Sequence, residues 1–218
     1  MRGEPVLEQV ARYGVVPVVA IEQVETALGL AEALLEGGLP LVEITFRTAA
    51  AAEAIRVLAQ ECPRLVVGAG TVLTPANLEA AKNSGAAFAV APGCNPDILR
   101  RAGQMGMPFV PGVATPTEIE TGLSLGCKLL KFFPAEALGG VVMLEALSAP
   151  YKHTGLRFLP TGGVNAGNLE SYLRLETVAA VGGTWIATKQ DLLNGQWTDI
   201  RSRCAAALKS VAKARGYG

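Results

Sequence analysis

The strongest constraint on this chain is a repeat of hydrophobic pattern rather than of residues. Eight short β-branched or apolar runs, Val15–Ala20, Leu39–Thr45, Leu65–Gly68, Ala87–Ala91, Pro108–Pro111, Lys128–Phe133, Arg157–Pro160 and Val178–Val181, are separated by alanine- and leucine-rich amphipathic stretches. Those stretches include Val24–Leu35, Ala50–Gln60, Pro75–Ser84, Pro96–Gln104, Pro116–Leu125, Leu144–Ala149, Asn168–Leu173 and Ile200–Ala214. The strands recur at roughly 20 to 30 residues, the length of a βα unit. Apolar strands of this kind predict a parallel sheet covered by helices, and eight units predict a closed (β/α)8 barrel. An open doubly wound sheet is the alternative, but no G-x-G-x-x-G follows an early strand. No linker or composition break divides the 218 residues, so one domain over residues 1–218 is expected. The opening MRGEPVLEQVARYG, with Glu4 and Glu8, reads as an extra amphipathic helix over about residues 4–13.

Composition excludes several classes of function. Half the residues are hydrophobic and 17% charged, enough for a large core. Lysine plus arginine equal aspartate plus glutamate at 19 each, with no basic stripe, so a nucleic-acid partner is not expected. The N-terminus lacks the apolar region of a signal peptide, and no run of about 18 apolar residues exists, so the expected address is the cytoplasm and no membrane is involved. Cys62, Cys94, Cys127 and Cys204 are widely spaced and form no C-x-x-C pair, which reads as small core hydrophobes. One histidine, His153 in a polar stretch, and no clustered carboxylates make a metal site or other cofactor unexpected. Trp185 and Trp197 read as packing residues.

In a barrel, chemistry belongs to the C-terminal ends of the strands. The stretch KLLKFFPAE, residues 128–136, places Lys128 at the start of the sixth run and Lys131 near its end. Alternation puts Lys131 and Phe133 on one face and Lys128, Leu130 and Phe132 on the other. Lys128 is then a solvated rim charge. Lys131 is either a lysine that snorkels or pairs with a carboxylate, or a desolvated amine able to attack a carbonyl and form a Schiff base. The second run brings Glu43, Thr45 and Arg47 to one face. They are either a plain ion pair or a proton-transfer carboxylate with an arginine suited to grip a substrate carboxylate. Thr71, after Gly68-Ala-Gly70, offers a hydroxyl at the same mouth, while Thr161-Gly162-Gly163 and Gly182-Gly183-Thr184 follow the last two runs, where barrels often bind phosphate. Tight packing of short loops is the other reading of those glycines.

The segments VEITFRT, GAGTVL, APG, PGVATPTE, LKFFPAE, PTGGV and VGGTW, in this order and at strand ends, closely resemble the class I 2-keto-3-deoxy-6-phosphogluconate aldolases, whose members often also cleave 4-hydroxy-2-oxoglutarate. The resemblance covers about residues 5 to 205. It implies a TIM barrel, usually a homotrimer, whose N-terminal helix closes the barrel bottom, acting without a metal on a phosphorylated 2-keto acid of the Entner-Doudoroff pathway. By matching position, it makes Lys131 the Schiff-base lysine and Glu43 the general acid/base, acting partly through a water. Arg47 and Thr71 would hold the substrate's carboxylate end, Phe133 would pack on the substrate, and Thr161, Gly162, Gly163 and Thr184 would contact the phosphate and distal hydroxyls. Thr184 stands where many members have serine, which keeps the hydroxyl and changes the fit. Threonine at 161 resembles the gluconate-type enzymes more than the galactonate-type relatives, where valine is common.

Two other readings stay open at this point. A sugar-phosphate isomerase or epimerase would use the late glycine turns but would leave Lys131 and Arg47 without a shared task. A non-catalytic barrel sensing a phosphorylated acid would use the same pocket yet has no need of an unhydrated lysine.

Overall fold

Parallel pairing organises the whole molecule. A computed structural model describes residues 5–216. In chain order its elements are α1 (Val6–Tyr13), β1 (Val15–Val19), α2 (Thr26–Glu36), β2 (Leu41–Thr45), α3 (Ala51–Glu61), β3 (Val66–Gly70), α4 (Pro75–Asn83) and β4 (Phe88–Val90). There follow α5 (Pro96–Gln104), β5 (Phe109–Val110), β6 (Gly112–Val113), α6 (Pro116–Ser124), β7 (Leu129–Phe132), α7 (Gly140–Ser148), β8 (Arg157–Phe158), α8 (Leu169–Leu173), β9 (Val181–Gly183), α9 (Lys189–Leu193) and α10 (Trp197–Ala214). The strands run β5-β4-β3-β2-β1-β9 and β6-β7-β8, with every named pair parallel. Pro111 has no N–H to donate and separates β5 from β6. These two pieces make one barrel strand, so nine segments fill eight barrel positions. Parallel bridges Phe158 to Val178 and Thr161 to Gly182 join the strand containing β8 to that containing β9, closing the ring. The fold is the expected α/β barrel with an extra N-terminal helix.

Local sequence explains where the helices start. Thr74, Asn95 and Thr115 each cap a helix whose first residue is proline, and their side chains accept from Asn77 N, Asp97 N and Glu118 N. An oxygen-bearing cap satisfies an orphan donor, and proline at the first position loses no hydrogen bond. Helix α1 ends at Gly14 with φ 71°. Its Glu8 pairs with Arg157 at the start of β8 at 2.7 Å, which fastens this helix to the N-terminal rim of the barrel. Glu4, included in the expected helix, lies outside the described residues. Among the described residues no helix is long and apolar enough to cross a membrane.

The strands reach further into glycine than the hydrophobic runs predict. β3 runs to Gly70 rather than Gly68, the fifth strand continues through β6, and β9 covers Val181–Gly183 while Val178 makes only a bridge. Glycine normally weakens a strand, and here it admits a large neighbour. A Cβ on Gly68 would run into the Phe88 ring, one on Gly70 into the Glu43 carboxylate, and one on Gly182 into Thr161 Oγ1. On the other face of β7, Leu130 packs on α6 so closely that a Cβ on Gly122 would lie 2.9 Å from Leu130 Cδ2.

Three helices also differ from expectation. α9 was not foreseen, although Thr188 and Asp191 form the S/T-x-x-D type of capping box that marks a helix start. α7 starts at Gly140, whose φ of 63° reads as a breaker, and α10 starts at Trp197. Of the cysteines only Cys204 is buried, the other three being half-buried against the core. Burial pushes the Cys127 thiol up to about 11 and that of Cys204 to about 12, so both stay protonated near neutral pH. His153 is exposed, as expected, in a 3-10 turn over Ala149–Thr154. Trp197 packs as expected, lying where a Cβ on Gly29 would meet its ring at 2.6 Å.

Two glycine substitutions should have opposite signs. Gly68→Ala is expected to cost about 1 to 3 kcal/mol by forcing the Phe88 ring aside. Gly103→Ala, in α5 with nothing within 4 Å of the added carbon, should gain about 0.5 to 1 kcal/mol. Urea unfolding with equal m-values checks both; a neutral Gly68→Ala would refute the packing account of the glycine-rich strands.

Candidate active site

Lys131 is placed by β6, β7 and the barrel's closure. Its backbone N donates to Pro111 O at 2.8 Å and it sits in register with Gly112. The side chain turns inward, where Nζ lies 3.5 Å from Glu43 Oε1 on β2, 88 residues away in sequence. Only 7% of the lysine side chain and 1% of the glutamate side chain remain exposed. Nζ also stands over the Phe133 ring, 5.4 Å from its centroid. An ion pair so buried is costly to desolvate and is retained in proteins mainly where its groups have further partners or a task. Here the second carboxylate oxygen, Glu43 Oε2, is buried and makes no hydrogen bond with any described residue. An orphaned acceptor of this kind calls for an explanation. Glu43 lines a cavity.

That cavity has a volume of about 530 Å3, opens at the C-terminal ends of the strands, and is lined by all nine residues singled out from sequence. Glu43, Arg47 and Thr71 stand on the β2–β3 side, Lys131 and Phe133 at β7, and Thr161, Gly162, Gly163 and Thr184 on the side of β8 and β9. Arg47 is not in the strand, which ends at Thr45, but in the turn beyond it. Its Nε donates to Thr45 Oγ1 at 3.1 Å, and Thr45 Oγ1 donates to Val19 O at 3.3 Å, so β1 and β2 together aim the guanidinium. No Glu43–Arg47 ion pair forms; the glutamate's partner is Lys131.

Thr71 adopts φ 58°, and it is the one non-glycine with positive φ among the described residues. A β-branched residue there is a backbone outlier costing about 1 to 3 kcal/mol, and such strain gathers at working sites. At the opposite side Gly162 and Gly163 have φ 97° and 84°, conformations that side chains rarely adopt. The Gly163 carbonyl accepts from Asn165 Nδ2 at 3.0 Å and Asn168 Nδ2 at 3.2 Å, which pins the loop.

Sequence reasoning missed part of this wall. Val18, Pro92, Val164, Asn165 and Trp185 also line the cavity. Trp185, read as packing, is half-buried with its ring where a Cβ on Gly183 would stand, and so does both jobs. Asn165 had a legible signal, since asparagines near paired glycines commonly bond to loop backbone. Among the described residues no three His, Cys, Asp or Glu side chains come together as metal ligands.

A parallel α/β barrel with a buried lysine facing a carboxylate at its C-terminal mouth defines an enzyme built to handle a carbonyl compound. The chain belongs to the KDPG and KHG aldolase family, whose model matches residues 6–203. KDPG is 2-keto-3-deoxy-6-phosphogluconate and KHG is 4-hydroxy-2-oxoglutarate. It is 43% identical over 206 residues to the 2-dehydro-3-deoxy-phosphogluconate aldolase of Treponema pallidum, covering 94% of this chain and 97% of the relative. It is 40% identical over 197 residues to the KHG/KDPG aldolase of Escherichia coli K12, covering 90% and 92%. The crystal structure of the Legionella pneumophila KDPG aldolase, with pyruvate captured at low pH as a covalent carbinolamine intermediate, superposes with a TM-score of 0.88 at 40% identity. That match covers 95% of this chain and 99% of the other.

Thr71→Gly should relieve the strained backbone and gain about 1 kcal/mol even after glycine's greater unfolded-state freedom. A shift of the urea midpoint to higher concentration checks it, and a lower midpoint would show that Thr71 is not under strain.

Proposed function

We propose that this protein is a class I aldolase that cleaves 2-keto-3-deoxy-6-phosphogluconate to pyruvate and glyceraldehyde 3-phosphate, and also splits 4-hydroxy-2-oxoglutarate to pyruvate and glyoxylate. The observation that carries the reading is the 3.5 Å approach of Lys131 Nζ to Glu43 Oε1 inside the mouth cavity, with an arginine on one side and paired glycines on the other. The Legionella structure supports it, because a carbinolamine with pyruvate is what a lysine amine forms on adding to a ketone.

The chemistry then runs as follows. Lys131 gives up the proton of its ion pair and the neutral amine attacks the C2 ketone to give a carbinolamine, whose hydroxyl takes up a proton and leaves as water, giving an iminium ion. Glu43 takes the proton of the C4 hydroxyl as the C3–C4 bond breaks, and the electron pair of that bond passes to the iminium, giving an enamine and releasing glyceraldehyde 3-phosphate. Glu43 returns the proton to C3, and water hydrolyses the new iminium to free pyruvate and Lys131. Arg47 and Thr71 hold the carboxylate, Phe133 packs on the substrate, and Thr161, Gly162, Gly163 and Thr184 hold the phosphate end, which orients the bond to be broken. The unpaired Glu43 Oε2 is where a relaying water or the substrate hydroxyl supplies the missing hydrogen bond. The iminium is the electron sink, so no metal is required. Thr161 favours the gluconate configuration over the galactonate epimer. The chain works as one domain, assembles as a homotrimer and acts in the cytoplasm on small 2-keto acids.

Borohydride reduction with pyruvate should leave a reduced pyruvyl adduct on Lys131, read by peptide mass spectrometry; an unmodified Lys131 peptide would end the Schiff-base assignment. Glu43→Gln should lower kcat by about 10²- to 10⁴-fold, the range of a positioned acid/base, while the adduct still forms. Cleavage should survive exhaustive EDTA treatment, and activity lost and then restored by a divalent ion would place the enzyme in a metal-dependent class.

A further inference from the structure

The last helix reaches the phosphate side of the cavity from behind. α10 is docked on α2 at two close contacts: Trp197 fills the space beside Gly29, and Cys204 Cβ lies 2.6 Å from where a Cβ on Gly37 would stand. From this platform Arg203 uses three nitrogens at once. Nε donates to Asp199 O at 3.2 Å in its own helix, and Nη1 donates to Trp185 O at 2.9 Å. Nη2 pairs with Asp191 Oδ1 at 2.8 Å. The other oxygen of Asp191 accepts from Thr188 N at 2.8 Å and Thr188 Oγ1 at 2.7 Å. Burial pushes the Asp191 carboxyl up, but the bonds from Arg203 and Thr188 outweigh this and hold it below the usual carboxylate range. The two charged groups therefore bracket residues 185–188. Immediately before that bracket, Gly183 and Thr184 line the cavity.

We infer that Arg203, held by Asp191, is a positioning residue for binding the substrate's phosphate: it fixes the carbonyl of Trp185 and with it the adjacent Thr184. The inference rests on the aldolase reading above, in which Thr184 contacts the phosphate. Arg203 does not line the cavity and contributes through the peptide that follows Trp185, one residue beyond Thr184. A planar guanidinium suits this task because its donors hold a carbonyl and a carboxylate in fixed relative geometry, which a lysine cannot reproduce. No hydrogen bond or ion pair runs from this bracket to Lys131 or Glu43, whose side chains pair with each other. Its loss is therefore expected to weaken the phosphate end and leave Schiff-base chemistry intact.

The test separates those two ends in the unliganded, full-length enzyme. Arg203→Met and Arg203→Lys are compared with wild type by the KM and kcat for cleavage of 2-keto-3-deoxy-6-phosphogluconate, and by deuterium exchange into the pyruvate methyl group. Exchange needs the amine and the carboxylate but no phosphate. R203M should raise the KM on the order of tenfold, part of the roughly 100-fold that a 1 Å misplacement can cost, with exchange unchanged. R203K should fall between. Equal loss in both assays, no change in KM, or failure of both variants to fold would overturn the inference. If wild type itself neither exchanges nor cleaves, the aldolase reading falls first, and that outcome is visible before any variant is read.

Discussion

The buried pair of Lys131 and Glu43 sets the terms for the rest of the molecule. Two ionisable groups at 5% and 0% exposure, from strands far apart in the chain, can meet only if the sheet curls fully and other side chains give way. Glycine provides the room. Gly70, in register with Thr45 on the strand beside Glu43, has no side chain where the glutamate's carboxylate lies. Gly112, in register with Lys131, lies against the Pro92 carbonyl, where a Cβ would collide. Removing either charged partner would leave the other uncompensated in a low-dielectric interior. The pair is thus both the proposed chemistry and a constraint on which residues the neighbouring strands can carry.

Around that pair the mouth has two unlike sides. On the β2–β3 side, side chains carry the proposed binding chemistry: Arg47 is aimed by Thr45, and Thr71 is held in a strained conformation. On the β8–β9 side the backbone dominates, with Gly162 and Gly163 turned into positive φ and Gly183 covered by Trp185. Lys131 stands between them. A substrate with a carboxylate at one end and a phosphate at the other would span the cavity and set its ketone at the amine, which is how binding of remote groups contributes to orienting the reacting bond.

Much of this was legible in the sequence because it lies in patterns of period two and in residue chemistry. Alternation in KLLKFF separated Lys131 from the exposed Lys128, and strand polarity sent Lys131, Glu43 and Arg47 to one mouth. The same logic failed where local preference and tertiary role conflict. Glycines at 70, 112 and 183 fall outside the hydrophobic runs, yet they belong to strands because a neighbour occupies the place of their side chains. Arg47 reaches the cavity from a turn, not by strand alternation. Trp185 looked like packing because a large aromatic is normally core, and nothing local says that one edge of it faces a cavity. The pairing of Arg203 with Trp185 and Asp191 is invisible in sequence, since an arginine in the middle of an amphipathic helix reads as a solvated charge.

That last blind spot follows from how the proposed phosphate side is built. No lysine or arginine lines the cavity on the β8–β9 side among the described residues; the wall there is Thr161, Gly162, Gly163, Val164, Asn165, Gly183, Thr184 and Trp185. A phosphate held by a flexible cation tolerates movement, because a point charge attracts over several ångströms. One held by backbone N–H groups and hydroxyls does not, because hydrogen bonds weaken steeply with distance and angle. The grip is then only as good as the fixation of its loops. Each loop is accordingly tied from behind by an ionised or buried polar group. The loop after β8 is tied to Glu136, whose backbone N donates to Gly162 O at 3.0 Å and whose side chain packs against Gly163 and accepts from the Tyr172 hydroxyl. The loop after β9 hangs on Arg203 and Asp191. After β9, the charge that the proposed phosphate wall lacks is found one layer further out, where it holds a peptide instead of ligand.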